Sequence, residues 1–279
     1  MNNRVNELLA KKLLQNDFTQ EEILQKILSF IDLTTLNDTD NNQVVNSLAN
    51  KALEIKKANE NKTVAAVCVF PKFAKTVSQV LENSGINTAC VAGMFPNGQS
   101  SLSVRIADVE DAVNNGADEI DMVISRGEVL IGNYDFVAEE VAAHKKACGP
   151  AHLKVILETG QLNLEQVKKA SEIAIENGAD FIKTSTGKYS EGATLEKSLV
   201  MLDVIKNHFD NTGKKIGFKP AGGIRTVDDA IHYTELVYAV LGNDWLTPKL
   251  YRIGASSLAS NVLKAMAELS NNQKLASIM

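Results

Sequence analysis

The sequence predicts an α/β fold, a closed parallel (β/α)8 barrel of the TIM type with extra N-terminal helices. Three observations carry that expectation. Eight short apolar, often β-branched runs alternate with eight longer amphipathic stretches, as strands joined by helical crossovers do. Several of the helical stretches end in a glycine that a strand follows at once, at Gly85, Gly116, Gly178 and Gly213, where a left-handed helix stop belongs. The first apolar run leads into Asp32-Leu33-Thr34-Thr35-Leu36, without the Gly-rich dinucleotide turn that an open doubly wound sheet normally carries there.

The elements follow in order. Residues 1–27 form a polar, amphipathic helical extension, and Thr19-x-x-Glu22 is a capping box for its second helix. Strands are expected at 28–33, 64–70, 87–92, 119–124, 153–158, 181–184, 216–219 and 251–253. Helices are expected near 43–58, 72–84, 103–115, 134–147, 163–177, 194–208, 226–241 and 257–269. With five prolines and no Gly/Ser-rich tract, nothing reads as a linker, so residues 1–279 are expected to form a single domain.

Composition narrows the function classes. A hydrophobic content of 44% with 23% charged residues is ordinary for a globular protein. The formal net charge of −5, with scattered basic residues, gives no reason to expect nucleic acid or an anionic membrane as partner. No segment approaches the length of a membrane helix. Cys68, Cys90 and Cys148 occur singly, which suits a reducing compartment, and a cytoplasmic protein is expected.

Two segments share the pattern N-G-A-D-x-I-(charged): Asn115 to Asp121 and Asn177 to Lys183. They precede the fourth and sixth strands. Alternate strands of such a barrel supply one interior layer, so Asp121 and Lys183 are expected to face each other across it. A lysine in a buried strand is costly. Either Lys183 is structural, its stem covered and its head reaching water, or burial lowers its pKa and makes it an amine nucleophile. Lys219, in Gly217-Phe218-Lys219-Pro220-Ala221-Gly222-Gly223, lies one βα unit on. Adjacent strands run about 4.8 Å apart, and two neighbouring ammonium groups resist joint ionisation. Asp121 is then a general acid–base group or the counter-ion of a buried lysine. Asp32 and Glu158 lie near strand ends, where each either positions a polar substrate atom or binds loop amides. Lys154 is an interior polar contact or sits at the wet lower end of its strand.

Three loops suggest phosphate binding: Ser185-Thr186-Gly187-Lys188, Gly222-Gly223-Ile224-Arg225 and Gly254-Ala255-Ser256-Ser257, after the sixth, seventh and eighth strands. Barrels of this kind often bind phosphate with the last two of these loops and a helix N-terminus. The four histidines are scattered, no metal-ligand spacing is present, and no G-x-S-x-G marks a serine nucleophile.

Together DFIKTSTG, GFKPAGGIR, NGADEIDMVI, LKVILETG and RIGASSL resemble the class I deoxyribose-phosphate aldolases, from about Asp32 to Leu258. The resemblance implies Lys183 as Schiff-base lysine, Lys219 as the lysine that perturbs it, and Asp121 as proton-relay partner. It implies substrate contacts from Thr184, Gly187 and Lys188, from Gly222, Gly223, Ile224 and Arg225, and from Gly254, Ser256 and Ser257. Asp32 and Cys68 match positions lining the substrate cavity. The implied reaction cleaves a phosphosugar with no cofactor and no metal, in a homo-oligomer expected to be a dimer. Some relatives end in a tyrosine that helps proton transfer, whereas this chain ends Ala276-Ser277-Ile278-Met279. A phosphosugar isomerase using Asp121 as base and a non-catalytic phosphosugar-binding barrel are the rival readings, and paired lysines favour the aldolase.

Overall fold

The structure is a computed structural model that describes residues 2–270, 273–276 and 278. Parts of the expected domain 1–279, including the termini at Met1 and Met279 and the C-terminal Ser277, lie outside the described residues. Three helices lead the chain: α1 (Asn2–Ala10), α2 (Leu13–Asp17) and α3 (Gln20–Phe30). The barrel follows as β1 (Ile31–Thr34), α4 (Asn42–Ala58), β2 (Ala66–Val69), α5 (Ala74–Val80), β3 (Asn87–Ala92) and α6 (Leu102–Asn114). Next come β4 (Glu119–Val123), α7 (Arg126–Leu130), α8 (Tyr134–Cys148), β5 (His152–Ile156), α9 (Leu164–Glu176), β6 (Phe181–Lys183) and α10 (Leu195–Thr212). The chain ends with β7 (Gly217–Lys219), α11 (Val227–Leu241), β8 (Ile253–Ala255), α12 (Leu258–Ser270) and α13 (Gln273–Ala276).

The strands pair in parallel in the order β7-β6-β5-β4-β3-β2-β1-β8. Bridges from Phe218 to Tyr251 and from Ala221 to Gly254 join β7 to β8 and close the barrel. All four expected glycine stops have left-handed φ, from +70° at Gly213 to +99° at Gly178. Thr19 and Glu22 form the expected capping box, but at the start of the third helix, α3, rather than the second, because residues 13–17 form a short helix of their own.

Two expected strands move. Residues 28–30 finish α3, which runs without a break into β1, because a short apolar run suits a buried helix end as well as a strand. The eighth strand shifts to Ile253–Ala255, and Tyr251 keeps only its bridge to Phe218. The N-terminal helices pack outside the barrel, α1 on α10 and α11, α2 on α11, and α3 on α11 and α12. A buried carboxylate holds them: Glu235 of α11 accepts the backbone N–H groups of Leu13 and Leu14 at 2.7 and 2.8 Å, two of the donors that a helix start leaves unpaired.

Outward-facing strand residues such as Val67, Val69, Ile120, Met122, Leu153, Val155 and Phe218 join one core with the surrounding helices. The barrel interior differs. On β2 and β3 it is lined by the small side chains of Ala66, Cys68, Ala89 and Val91, which leaves room for long charged side chains from the other strands.

Candidate active site

Strand alternation sends Asp32, Glu119, Asp121, Lys154, Lys183, Lys219 and Arg252 into the barrel, where all are buried. Asp121 is the hub. One of its oxygens accepts from Lys183 and from Lys219, each at 2.7 Å, and the other accepts from Lys154 at 3.0 Å. Lys219 also donates to Asp32. Below them Glu119 binds Lys154 at 2.5 Å and the Arg252 guanidinium at 2.6 and 3.0 Å, and Arg252 reaches Asp32 at 2.6 Å. Lys183 and Lys219 are register partners on β6 and β7. The two NGAD segments thus bring Asp121 and Lys183 into direct contact.

Charge balance explains which lysine differs. In this cluster three carboxylates meet four cationic side chains, so three cations are neutralised and one is in surplus. Lys219 touches two carboxylates, Asp32 and Asp121, and Lys183 touches only Asp121 among those described. Burial lowers the Lys183 pKa, and the neighbouring Lys219 lowers it further against the pull of Asp121. Burial also works against charge on Lys219, yet Asp121 and Asp32 outweigh it and raise that pKa. Burial opposes ionisation of Asp121, but Lys154, Lys183 and Lys219 overcome it and hold the carboxyl well below the usual range. Of the two lysines, Lys183 is therefore the one that gives up its proton more readily.

Phe181, one turn of the pleat below Lys183, fills the space beside Gly217, where any β-carbon would collide with its ring. It lies under the cations of Lys154 and Arg252, at 6.0 and 5.8 Å from its ring centre.

Above Lys183 a cavity of about 320 Å³ opens at the C-terminal ends of the strands. Its wall includes Gly187 and Lys188 after β6, Gly222, Gly223, Ile224 and Arg225 after β7, Gly254 within β8, and Ser256 and Ser257 after it. Thr34 to Asn37, at the end of β1 and in the loop after it, complete the wall. Gly187, Gly222 and Gly223 have φ of +77°, +82° and +87°, and Gly222 lies so close to the Gly192 backbone that a β-carbon would sit 3.0 Å from its Cα.

Three expected substrate contacts lie outside this wall. Thr184 faces outward with Ile182, and its hydroxyl accepts from the Ala221 N–H at 2.9 Å and donates to the Ala221 carbonyl at 3.2 Å, clamping two loops together. Asp32 sits lower, committed to Lys219 and Arg252. Cys68 is buried in the small apolar arc, and burial raises its thiol pKa. Glu158, left open between substrate contact and loop support, supports a loop: from a left-handed backbone (φ +54°) it accepts from the Thr186 N–H at 3.2 Å and from the Thr186 hydroxyl. Lys154 proves an interior contact. Glu119 and Arg252 were not singled out in the sequence, although both share the inward parity, Glu119 with Asp121 and Arg252 with Gly254. Among the described residues, no cluster of His, Cys, Asp and Glu could hold a metal ion, and no helix is long and apolar enough to cross a membrane.

The model of the DeoC/LacD family aldolases matches residues 26–258. The chain belongs to the DeoC/LacD aldolase family. It is 43% identical to the Homo sapiens deoxyribose-phosphate aldolase over 93% of this chain and 85% of the human protein. With the Mus musculus deoxyribose-phosphate aldolase it shares 44% identity at the same coverage of both chains. Among solved structures, the tetrameric deoxyribose phosphate aldolase of Aeropyrum pernix superposes with a TM-score of 0.70 at 25% identity, covering 90% of this chain and 100% of that one. Family membership makes the chain a carbon–carbon lyase, and the matched span contains the whole charged cluster and the cavity above it.

Proposed function

We propose that this aldolase cleaves 2-deoxy-D-ribose 5-phosphate to D-glyceraldehyde 3-phosphate and acetaldehyde through a Schiff base on Lys183. The observation that carries the reading is the surplus cation: Lys183 is the one interior ammonium whose pKa falls, beside a lysine whose pKa rises. A lysine activated by burial and a cationic neighbour is a known route to an amine nucleophile.

The neutral Lys183 amine adds to the C1 aldehyde of the open-chain sugar, and loss of water leaves a protonated imine. Asp121, in contact with Nζ at 2.7 Å, stabilises that cation. The imine accepts the electron pair of the C2–C3 bond as the C3 hydroxyl loses its proton, giving an enamine and glyceraldehyde 3-phosphate. Protonation of the enamine at C2 and hydrolysis release acetaldehyde and restore the amine. Asp121, bonded to both Lys183 and Lys219, relays these protons rather than storing them, since it stays ionised. An isomerase would instead need a free base with a pKa near neutrality, which the same three lysines deny to Asp121. The imine supplies the electron sink, so the reaction requires no cofactor.

The 5-phosphate fits the cavity above Lys183, where Lys188 and Arg225 bring charge and glycine-rich turns let backbone N–H groups approach. The physiological role we assign is deoxyribonucleoside breakdown in the cytoplasm, by an assembly of at least two copies. The test is borohydride reduction in the presence of acetaldehyde, followed by peptide mapping. An ethyl group on Lys183 alone is expected, and Lys183→Met should remove both the label and turnover, by on the order of 10⁴-fold or more. Full turnover in Lys183→Met would end the proposal.

A further inference from the structure

The segment between β6 and α10 does more than line the cavity. It crosses the barrel mouth and meets loops from most of the other strands. The Lys188 ammonium donates to the Leu36 carbonyl in the loop after β1. Glu191 packs on Gly160 after β5, and Gly192 packs on Gly222 after β7, each so closely that a β-carbon on the glycine would collide. Beneath this strap the Lys183 side chain is only 4% exposed.

The tip of the strap is fastened on the side away from the phosphate loops. The Tyr189 hydroxyl donates to the Asn97 side-chain oxygen in the loop after β3, at 2.9 Å, and accepts from Arg126 at 3.0 Å. The Arg126 guanidinium also lies over the Tyr189 ring, 4.8 Å from its centre. Arg126 is itself buried and faces Glu158 at 3.5 Å, and Glu158 holds the base of the strap through Thr186. One buried ion pair therefore ties down both ends of the segment that carries Gly187 and Lys188.

We propose that Tyr189, gripped by Arg126 and Asn97, is a positioning residue that latches this strap over Lys183 and sets Lys188 for the substrate phosphate. The grip is of the right strength for a latch. Asn97 is exposed and Tyr189 half-buried, so the neutral Tyr189–Asn97 bond has a small net weight and is the part that yields to substrate, while the charge-assisted bond from Arg126 is the stronger half that draws the strap back. Closure by such loops governs entry and water exclusion in many enzymes. The proposal rests on Lys183 being the nucleophile.

Tyr189→Phe keeps the stacked ring and removes both hydroxyl bonds, and Asn97→Ala removes the outer one at an exposed position. In both variants KM for 2-deoxyribose 5-phosphate should rise about threefold to tenfold, the weight of one or two hydrogen bonds. The kcat/KM for unphosphorylated 2-deoxyribose should fall less than that for the phosphorylated sugar. Labelling of Lys183 by acetaldehyde and cyanoborohydride should quicken, and backbone amides of residues 185–192 should exchange with deuterium faster. Wild-type KM, labelling and exchange in both variants would overturn the latch, and so would a lowered melting temperature with those readouts unmoved. A wild-type protein that never labels at Lys183 would instead refute the Schiff-base reading, and the exchange rates would still decide whether Tyr189 holds the strap.

Discussion

Inside the barrel, charged side chains on the strands pair with one another and leave one cation in surplus, whereas at the mouth the loops present amides, hydroxyls and the cations of Lys188 and Arg225 to an open cavity. Asp121 alone accepts from three lysines, and Arg252 bridges Asp32 and Glu119. The cavity above has Ser256, Ser257 and Arg225 exposed around it. The difference teaches where chemistry and recognition reside. The interior sets the protonation of one amine through a balance that no single residue can leave without cost. On the proposed reading, the mouth selects the substrate with groups that can be changed one at a time.

The sharpest way to break that contrast is to remove one interior charge. Glu119→Gln leaves Lys154 and Arg252 without their shared carboxylate, and urea denaturation should show a loss of about 3–5 kcal/mol, the usual cost of breaking a buried ion network. A loss below about 1 kcal/mol would mean that the cluster is not balanced as described.

A buried group outside both regions gives the next effect. His144 of α8 donates from Nδ1 to the Glu140 carbonyl at 2.6 Å, while its Nε2 faces Gly93 and has no hydrogen-bond partner among the described residues. Burial pushes its pKa from 6.5 down to about 4, so the folded state keeps it neutral while the unfolded chain takes up a proton. Its contribution is whole above pH 6.5 and is lost as pH falls from 6.5 to about 4, amounting to about 3 kcal/mol. His144→Gln should flatten that part of the stability profile whatever its effect at neutral pH. An unchanged slope would place the acid sensitivity elsewhere.

The smallest effect is the most selective. Ser256→Glu sets a carboxylate where the phosphate should bind, and KM for 2-deoxyribose 5-phosphate should rise about tenfold or more, equivalent to at least about 1.4 kcal/mol. Stability should stay within about 0.5 kcal/mol, as for most exposed substitutions. Equal effects on phosphorylated and plain deoxyribose would contradict a phosphate site there.

How much of this was legible in the sequence follows from the range of each interaction. Strand parity needs only local spacing, so the NGAD repeat placed Asp121 and Lys183 on one interior face, where they meet at 2.7 Å. The same parity would have found Glu119, two residues before Asp121. Arg252 was equally legible, since the expected strand 251–253 contains it and a shift of two residues to Ile253–Ala255 leaves every side chain on the same face. Thr184 alternates outward from Lys183, and its hydroxyl is used by Ala221. Leu28 to Phe30 looked like strand because an apolar run carries no period over so short a length. The strap contacts, Lys188 to Leu36 and Tyr189 to Asn97, join loops far apart in sequence, and no local pattern encodes them.

The central claim is that Lys183 loses its proton more readily than an ordinary lysine because Lys219 takes the larger share of the carboxylates. It is tested most directly by the pH dependence of Lys183 labelling with acetaldehyde and cyanoborohydride, in the wild type and in Lys219→Met. The labelling rate should rise with pH through an apparent pKa below the ordinary lysine value of 10.5. In Lys219→Met, with one cation gone and Asp32 and Asp121 retained, that apparent pKa should move upward. An apparent pKa at the ordinary value in the wild type, or one that Lys219→Met leaves in place, would contradict the account.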